Sequence, residues 1–309
     1  MKTKVQARKP SISIVGAGRL GGALAIALQS SGYPIMALVA RHRQKARKAA
    51  ALLTYTKLQP RVLAANQLMN LGHSELILIA TPDDAIEETA RKLATLWVKQ
   101  PRRTVLHTSG ALSSDVLAPL AEVGFQTGSI HPLVSISEPV SGAEALRGAF
   151  YCLEGTGRAK ALAERIVRDL GGHSFSIKPQ SKALYHAAAV MASPHVTALF
   201  ELATEMLAAC GLSKRNAQRV LMPLLESTVN NLKTSNSQKA LTGTFARGDV
   251  ATVRRHLAAL SRKDLAEALE LYRLLGLRSV QLAKKNGLEP QLLDQIRKLL
   301  KSTTLKSEI

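Results

Sequence analysis

The chain has 309 residues, 46% of them hydrophobic, 4% aromatic and 21% charged, with a formal net charge of +20. That length supports a large core and two domains, and the absence of any uninterrupted apolar run of about eighteen residues excludes a membrane-spanning helix. The charge is uneven: residues 1–74 hold twelve Lys/Arg and no Asp or Glu, residues 75–178 hold eleven basic and twelve acidic side chains, and residues 179–309 hold nineteen and ten.

A basic field of this kind concentrates anions such as a phosphorylated cofactor. The aromatic interleaving of a nucleic-acid stacking platform is missing, so a nucleic-acid partner is not expected. In the leader, Lys2, Lys4, Arg8 and Lys9 precede an apolar run, as in a secretory signal. Glycines at 16, 18, 21 and 22 and Arg19 interrupt that run, which argues against a signal peptide.

The first predicted strand, Ser11–Val15, ends in Gly16-Ala-Gly18-Arg19-Leu20-Gly21, and an apolar helical run follows from Ala23 to Leu28. Strand, glycine turn and helix start in that order make a dinucleotide-binding unit. Gly16 permits the tight turn, Gly18 lets backbone amides approach a pyrophosphate, and Gly21 lets helix and strand pack closely. The helix N-terminus, with Arg19 and Leu20 in its first turn, favours the phosphate charge.

A second strand, Ile35–Ala40, ends in Arg41-His42-Arg43-Gln44-Lys45. An NAD site would place a carboxylate there for the ribose hydroxyls. Arg41 and Arg43 instead suit a ribose 2′-phosphate, because planar guanidinium forks pair with phosphate oxygens. NADP is therefore expected over NAD. A helix from Ala46 to Leu53 and a short strand near Arg61–Ala64 follow.

Glu75–Ala80 is a continuous apolar run of the kind buried in a parallel sheet. It stops at Thr81-Pro82-Asp83-Asp84 before a helix from Ala85 to Leu96. Ligands on such sheets bind beyond the carboxyl ends of the strands, so Thr81 and Pro82 are expected to line the cofactor. Asp83 is either the N-cap of the helix or a ligand contact. Thr104–His107 repeats the pattern and runs into Thr108-Ser109-Gly110, which adds Ser109 to the cofactor side. After a helix from Leu112 to Ala121, Gln126–Ile130 leads to His131-Pro132-Leu133. His107 and His131 thus stand at two strand ends on one side of the sheet, as candidate substrate contacts. Phe150–Leu153 and His173–Ile177 are predicted as the last strands, with a helix from Ala159 to Leu170 between them.

Lys178-Pro179 is the predicted domain boundary, giving a cofactor domain over 1–178 and an all-helical domain over 179–309. One long helix is expected from Gln180 to Ala209, kinked at Pro194. Ser213 caps the next helix, Asp249 caps Val250–Leu260, and helices over Lys263–Lys285 and Glu289–Lys301 complete the chain. Lys182 and His186 stand four apart near the start of the long helix, on one face. Lys182 would stabilise charge or donate a proton as hydride reaches a carbonyl carbon, and His186 would position substrate or relay the proton. No zinc-ligand spacing and no Gly-x-Ser-x-Gly elbow occur, so no metal is expected. Cys152 and Cys210 read as buried free thiols of a cytoplasmic protein.

These motifs, with Ala80-Thr-Pro-Asp-Asp84, Lys182-x-x-Tyr185-His186-Ala187-Ala188, Leu241-Thr-Gly243 and Arg247-Gly248-Asp249, resemble bacterial Rossmann-like proteins with a helical C-terminal domain of uncharacterised function, assigned as NADP oxidoreductases. The chain is more distantly similar to pyrroline-5-carboxylate reductases and to 6-phosphogluconate and 3-hydroxyisobutyrate dehydrogenases. The resemblance implies an α/β fold: a Rossmann-type parallel sheet domain and an all-α domain like that of the 6-phosphogluconate dehydrogenases. It also implies a homodimer formed through the helical domains. In the hydroxyisobutyrate-type enzymes the catalytic pair is Lys-x-x-x-Asn; Lys182 matches the lysine, and His186 stands in place of the asparagine. The expected activity is NADP-dependent hydride transfer to or from a small C=O/C–OH or C=N/C–N substrate between the domains. A non-catalytic NADP-binding sensor or scaffold is the alternative.

Overall fold

The computed structural model describes residues 8–54, 59–96 and 103–302; Lys2 and Lys4 of the basic leader lie outside the described residues. The chain divides into two compact units, Met1–Ser193 and Pro194–Ile309.

The first unit holds eight strands: β1 (Ile12–Val15), β2 (Ile35–Ala40), β3 (Arg61–Ala64), β4 (Leu76–Ile79), β5 (Thr104–His107), β6 (Gln126–Pro132), β7 (Phe150–Gly155) and β8 (His173–Phe175). They form one sheet in the order β3-β2-β1-β4-β5-β6-β7-β8. Neighbours from β3 to β6 are parallel, β7 runs antiparallel to β6, and β8 is parallel to β7. The helices of this unit are α1 (Arg19–Ser30), α2 (Arg43–Ala51), α3 (Ile86–Leu96), α4 (Ala118–Glu122), α5 (Pro139–Ala145), α6 (Gly157–Asp169) and α7 (Lys182–Ala192).

Strand β4 is apolar at every position because both faces of the sheet are covered. Leu76 and Leu78 pack with Leu24 and Leu28 of α1 and Ile166 of α6. Ile77 and Ile79 pack with Ile86 and Leu93 of α3 and Leu120 of α4. Each such fully buried aliphatic side chain stabilises the fold by about 1.5–3 kcal/mol. The strand order reverses at the β1–β4 pair, where the first helices leave toward opposite faces and open a crevice beyond the carboxyl ends of the strands.

Three elements differ from the sequence reading. Helix α5 was not expected, being short and rich in small residues. It lies on α1 through glycines on both sides: a Cβ on Gly22 would stand 3.1 Å from Pro139 Cβ, and one on Gly142 would stand 3.1 Å from Ala23 Cβ. The expected Gln180–Ala209 helix is two helices, because Ser193 (φ −133°, ψ −77°) leaves the helical region before Pro194. The compact units accordingly divide at 193/194 and not at 178/179: Lys182 and Tyr185 of α7 are hydrogen-bonded to groups on β6, which keeps that helix with the sheet. Cys152 is buried on β7, whereas Cys210 is exposed, in the turn through Gly211 (φ +97°) that ends the helix over Pro194–Ala209.

The second unit is helical: α8 (Pro194–Ala209), α9 (Lys214–Thr234), α10 (Ser237–Ala240), α11 (Gly243–Arg247), α12 (Val250–Leu260), α13 (Ala266–Lys285) and α14 (Pro290–Lys301). Ser213 and Asp249 cap α9 and α12 by accepting from the amides of Asn216 and Thr252. Val253 and Leu257 of α12, Val280 and Ala283 of α13, and Leu293, Ile296 and Leu300 of α14 form its core. Among the described residues no helix is long and apolar enough to cross a membrane.

Candidate active site

The glycine turn after β1 uses its three glycines for three physical reasons. Gly16 has φ +108°, and a Cβ there would stand 2.4 Å from the Ala80 carbonyl group at the end of β4. A Cβ on Gly21 would stand 2.0 Å from the Gly16 carbonyl oxygen, so only glycine lets α1 start against the turn. Gly18 is different: no protein atom lies within 4 Å of the Cβ position, and the residue is exposed. The protein itself would admit a side chain at 18. Helix α1 begins there without a side-chain cap and with no acidic residue in its first turn, which leaves its first amides free to donate to an anion.

Beyond β4, β5 and β6 a cavity of about 230 Å³ is lined by Leu20, Thr81, Asp83, Ser109, His131 and His186, among others. Thr81 Oγ1 is buried there with no hydrogen-bond partner, a costly state for a hydroxyl that a ligand would relieve. Ser109 locks the loop after β5: its hydroxyl donates to Asp83 Oδ2 at 2.8 Å and accepts from the amides of Ala111 and Leu112. Asp83 therefore holds the neighbouring loop, and Pro82 occupies the cap position of the short 3₁₀ turn Asp83–Ala85 that precedes α3.

Helix α7 runs back under this loop. Lys182 is 1% exposed, and its Nζ donates to the Ser109 carbonyl (3.0 Å) and to Ser129 Oγ (3.1 Å). Ser129 in turn donates to Glu154 Oε1 (3.1 Å), and Ser114 Oγ donates to Glu154 Oε2 (2.9 Å). A buried ammonium is thus joined to two carboxylates through serines, to Glu154 by Ser129 and to Asp83 by Ser109. Burial pushes the lysine pKa down, opposed by Cys152, Glu154 and Asp83.

The histidines separate into two kinds. His107 is fully buried; its Nδ1 accepts from the Ser109 amide (3.2 Å) and its Nε2 lies 3.1 Å from the Ser113 carbonyl. The ring is therefore neutral, with its proton on Nε2. Burial, reinforced by the Lys182 charge, pushes its pKa down to about 3. His131 and His186 line the cavity with their rings nearly perpendicular, centroids 5.6 Å apart. Tyr185 Oη lies 2.7 Å from His131 Nδ1. Burial first, then Lys182 and His186, push the His131 pKa down to about 4.

Comparison with known proteins decides the affiliation. Residues 1–132 match the Rossmann-like domain family, and residues 149–279 match a domain of unknown function (DUF2520). The chain joins a Rossmann-like domain to a DUF2520 domain. No curated protein matches it in sequence. Among solved structures it is similar to a Thermotoga maritima protein (24% identity, TM-score 0.67, covering 89% of this chain and 99% of that one). It is similar to a Bacteroides fragilis protein provisionally described as an NADP oxidoreductase (21% identity, TM-score 0.69, 87% and 96%). A third is a reductive aminase from Aspergillus terreus in complex with NADPH and ethyl levulinate (16% identity, TM-score 0.55, 95% and 93%). At these identities the likeness establishes the fold.

The DUF2520 match includes β7, β8 and α7, so the cavity draws His131 and Ser109 from the Rossmann-like segment or its immediate end and His186 from the DUF2520 segment. Leu20, Thr81, Ser109, His131 and His186 line the cavity, and the glycine turn lies beside Ala80 at the end of β4. Arg19 and Pro82 are exposed and do not line the cavity. Arg41 is exposed after β2, while Arg43 spends its Nε on the Val62 carbonyl of β3 at 3.1 Å. His107, expected to contact substrate, instead braces the Ser109–Ser113 loop with both ring nitrogens. Lys182, expected to reach substrate, is turned beneath the loop onto Ser109 and Ser129. Sequence reading missed Ser129, Glu154 and Tyr185. Glu154 carried a signal, a carboxylate closing the apolar run Phe150–Leu153; Tyr185 stood in the Lys182-x-x-Tyr185-His186 motif without a role assigned to it. Among the described residues no group of three or more His, Cys, Asp or Glu is placed to hold a metal.

Proposed function

We propose that this protein is an NADP-dependent oxidoreductase acting on a small C=O/C–OH or C=N/C–N substrate in the cavity beyond β4, β5 and β6. The observation that carries the reading is the glycine turn: Gly16 and Gly21 are glycine because protein backbone occupies the Cβ position, whereas Gly18 faces no protein atom. A pyrophosphate fits that opening, at an uncapped and carboxylate-free helix start. The unpartnered Thr81 hydroxyl gives the same crevice a second vacant polar contact. Arg41 is the residue for a ribose 2′-phosphate, with Arg43 held to the β3 edge beside it. The NADP oxidoreductase description of one similar structure and the NADPH held in another support the choice of cofactor. When bound, NADP(H) supplies or takes up the hydride.

The chain's own residues divide the remaining work. Ser109 and Asp83 hold the loop that floors the cavity. Lys182 pins the same loop from below through the Ser109 carbonyl, and burial, reinforced by the Lys182 charge, keeps His107 and His131 uncharged. Asp83, His131 and His186 are the ionisable side chains that line the cavity, and Asp83 is engaged by the Ser109 hydroxyl. Lys182 is therefore a positioning residue in this scheme, and His186 the group that can exchange a proton with substrate. The burial of Lys182 favours the second reading, a non-catalytic NADP-binding sensor or scaffold.

Calorimetric titration with NADPH and NADH tests the cofactor; absence of binding by both refutes it. Screening NADPH oxidation against keto acids, aldehydes and imines then separates enzyme from sensor. We further assign a homodimer through the helical unit, supported by exposed Val196 and Leu199 on α8 and Val220, Leu224 and Leu232 on α9. Light scattering that gives a monomer at micromolar concentration removes that assignment. A cytoplasmic site of action is in keeping with two free cysteines.

A further inference from the structure

Two histidine nitrogens converge on one glycine. A Cβ built on Gly110 would stand 2.4 Å from His186 Nδ1 and 2.8 Å from His131 Nε2. The two nitrogens are therefore close enough for a single oxygen to meet both at ordinary hydrogen-bond lengths. Both residues and Gly110 line the cavity, and His186 Nδ1 is buried with no hydrogen-bond partner. An unmet polar atom in that position is costly to the fold unless something binds to it.

The protons on this pair follow from Tyr185. Its hydroxyl lies 2.7 Å from His131 Nδ1, and the rings meet edge to face at 5.5 Å. An imidazole nitrogen is a far stronger base than a phenol oxygen, so Tyr185 donates and Nδ1 accepts. The single proton of the uncharged His131 ring then sits on Nε2, the nitrogen beside Gly110. Burial and the Lys182 ammonium beneath the loop keep the ring in that uncharged form. The cavity wall thus holds one fixed donor, His131 Nε2–H, and one buried, unpartnered nitrogen, His186 Nδ1.

We propose that His131 Nε2–H and His186 Nδ1 bracket one substrate oxygen, that Tyr185 sets the His131 tautomer, and that the substrate is a carbonyl or hydroxyl compound and not an iminium or ammonium ion. This deepens the oxidoreductase reading above and rests on it. A hydroxyl oxygen accepts from His131 while its proton points at His186. In the oxidising direction the C–H bond breaks with its electron pair leaving as hydride to NADP⁺, the O–H proton passes to His186 Nδ1, and the C=O bond forms. In the reducing direction the His186 imidazolium returns that proton to the oxygen as hydride reaches carbon. His131 stays neutral throughout and stabilises the developing charge on oxygen. An iminium nitrogen has no lone pair to accept from His131 Nε2–H, so donor would face donor at that position.

The test uses the full-length protein with ¹⁵N-labelled histidine, observed by NMR at pH 7. Without cofactor, His131 should show an unprotonated Nδ1 and a protonated Nε2. Tyr185→Phe, with the amide spectrum elsewhere unchanged, should turn this single form into a mixture. A purely structural tyrosine would leave the tautomer alone. In the NADPH-loaded protein, cyclohexanol should shift both ring resonances and cyclohexylamine, a cation at pH 7, should shift neither. His131→Asn and His186→Asn should each weaken cyclohexanol by about fivefold, the worth of one neutral hydrogen bond. A proton on His131 Nδ1, an unchanged tautomer in Tyr185→Phe, no response to cyclohexanol, or equal binding of cyclohexylamine would each overturn the proposal. If NADPH fails to bind in calorimetry, the oxidoreductase reading falls, and the cofactor-free tautomer measurement still decides the role of Tyr185.

Discussion

The two ends of the crevice are built in opposite ways. At the β1 turn the surface is backbone: within six consecutive residues Gly16 and Gly21 pack against the chain itself, and Gly18 alone faces open space at the uncapped start of α1. At the floor beyond β5 and β6 the surface is side chain. Ser109, Ser129, Lys182 and Glu154 come from four separate elements and meet through hydrogen bonds. A backbone site is local, tolerates little change where the chain touches itself, and leaves its ligand-facing position free. A side-chain floor depends on charge balance across the fold, so it responds to pH and to distant substitutions.

The largest effect separates glycines that face protein from the one that does not. Gly16→Ala forces a Cβ against the Ala80 carbonyl at a positive φ and should cost about 4 kcal/mol of unfolding free energy, read from urea denaturation. A mild effect would show that the turn is not closed on β4.

Next is the floor. Lys182→Met removes the buried cation while Glu154 and the Ser109 carbonyl remain, and should cost about 3 kcal/mol. Adding Glu154→Gln should recover part of that loss. Strict additivity of the two changes in a double-mutant cycle would break the claimed coupling through Ser129.

The floor should also respond to acid. His107 and His131 have folded pKa values lowered to about 3 and about 4, so between those values and the ordinary 6.5 the unfolded chain binds more protons. Stability is therefore full above pH 6.5 and falls as the pH drops, by up to about 2 kcal/mol per histidine at pH 5. The carboxylates lowered by their partners, Glu75 and Asp169, keep their full stabilisation above their ordinary values of 4.5 and 3.8 and lose it only as the pH falls below them. His107→Asn should flatten the pH 5–7 profile of the urea midpoint; an unchanged slope would remove His107 from the account.

The smaller effects return to the backbone end. Arg41→Ala should weaken NADPH about tenfold and NADH little, because only the former carries the 2′-phosphate; equal losses would refute that assignment. Gly18→Ala should change unfolding by less than about 0.5 kcal/mol and still reduce NADPH binding. A loss of stability at 18 as large as at 16 would erase the contrast between the two positions.

Much of this protein is written locally. The β-branched strand leading into the glycine turn, the apolar β4 and the capping residues Ser213 and Asp249 announced the sheet order's first elements and the helical unit, since each is decided by neighbours within a few residues. Thr81, Ser109 and His131 were singled out because strand ends face one crevice in a parallel sheet, and His186 because it stands four residues from Lys182 on one helix. Helix α5 escaped because seven residues around Gly142 have too little periodicity to show, and its reason is contact with Gly22 on α1. Lys182 was recognised as important but assigned the wrong direction. Its side-chain orientation depends on Ser129 and Glu154, which lie 53 and 28 positions away and reach it only once β6 and β7 pair.

By itself, then, the sequence determined the dinucleotide turn, the absence of a carboxylate after β2 and the chain's two-part composition, because backbone conformation and short-range burial patterns suffice for those. Only the tertiary structure decided that His107 is a brace, that Lys182 lies beneath the floor, and that Tyr185 and Gly110 aim two histidines at one point. Hydrogen-bond partners in a buried network are chosen by three-dimensional proximity in a low-dielectric interior, where each polar group must be met, and no spacing along the chain encodes that choice.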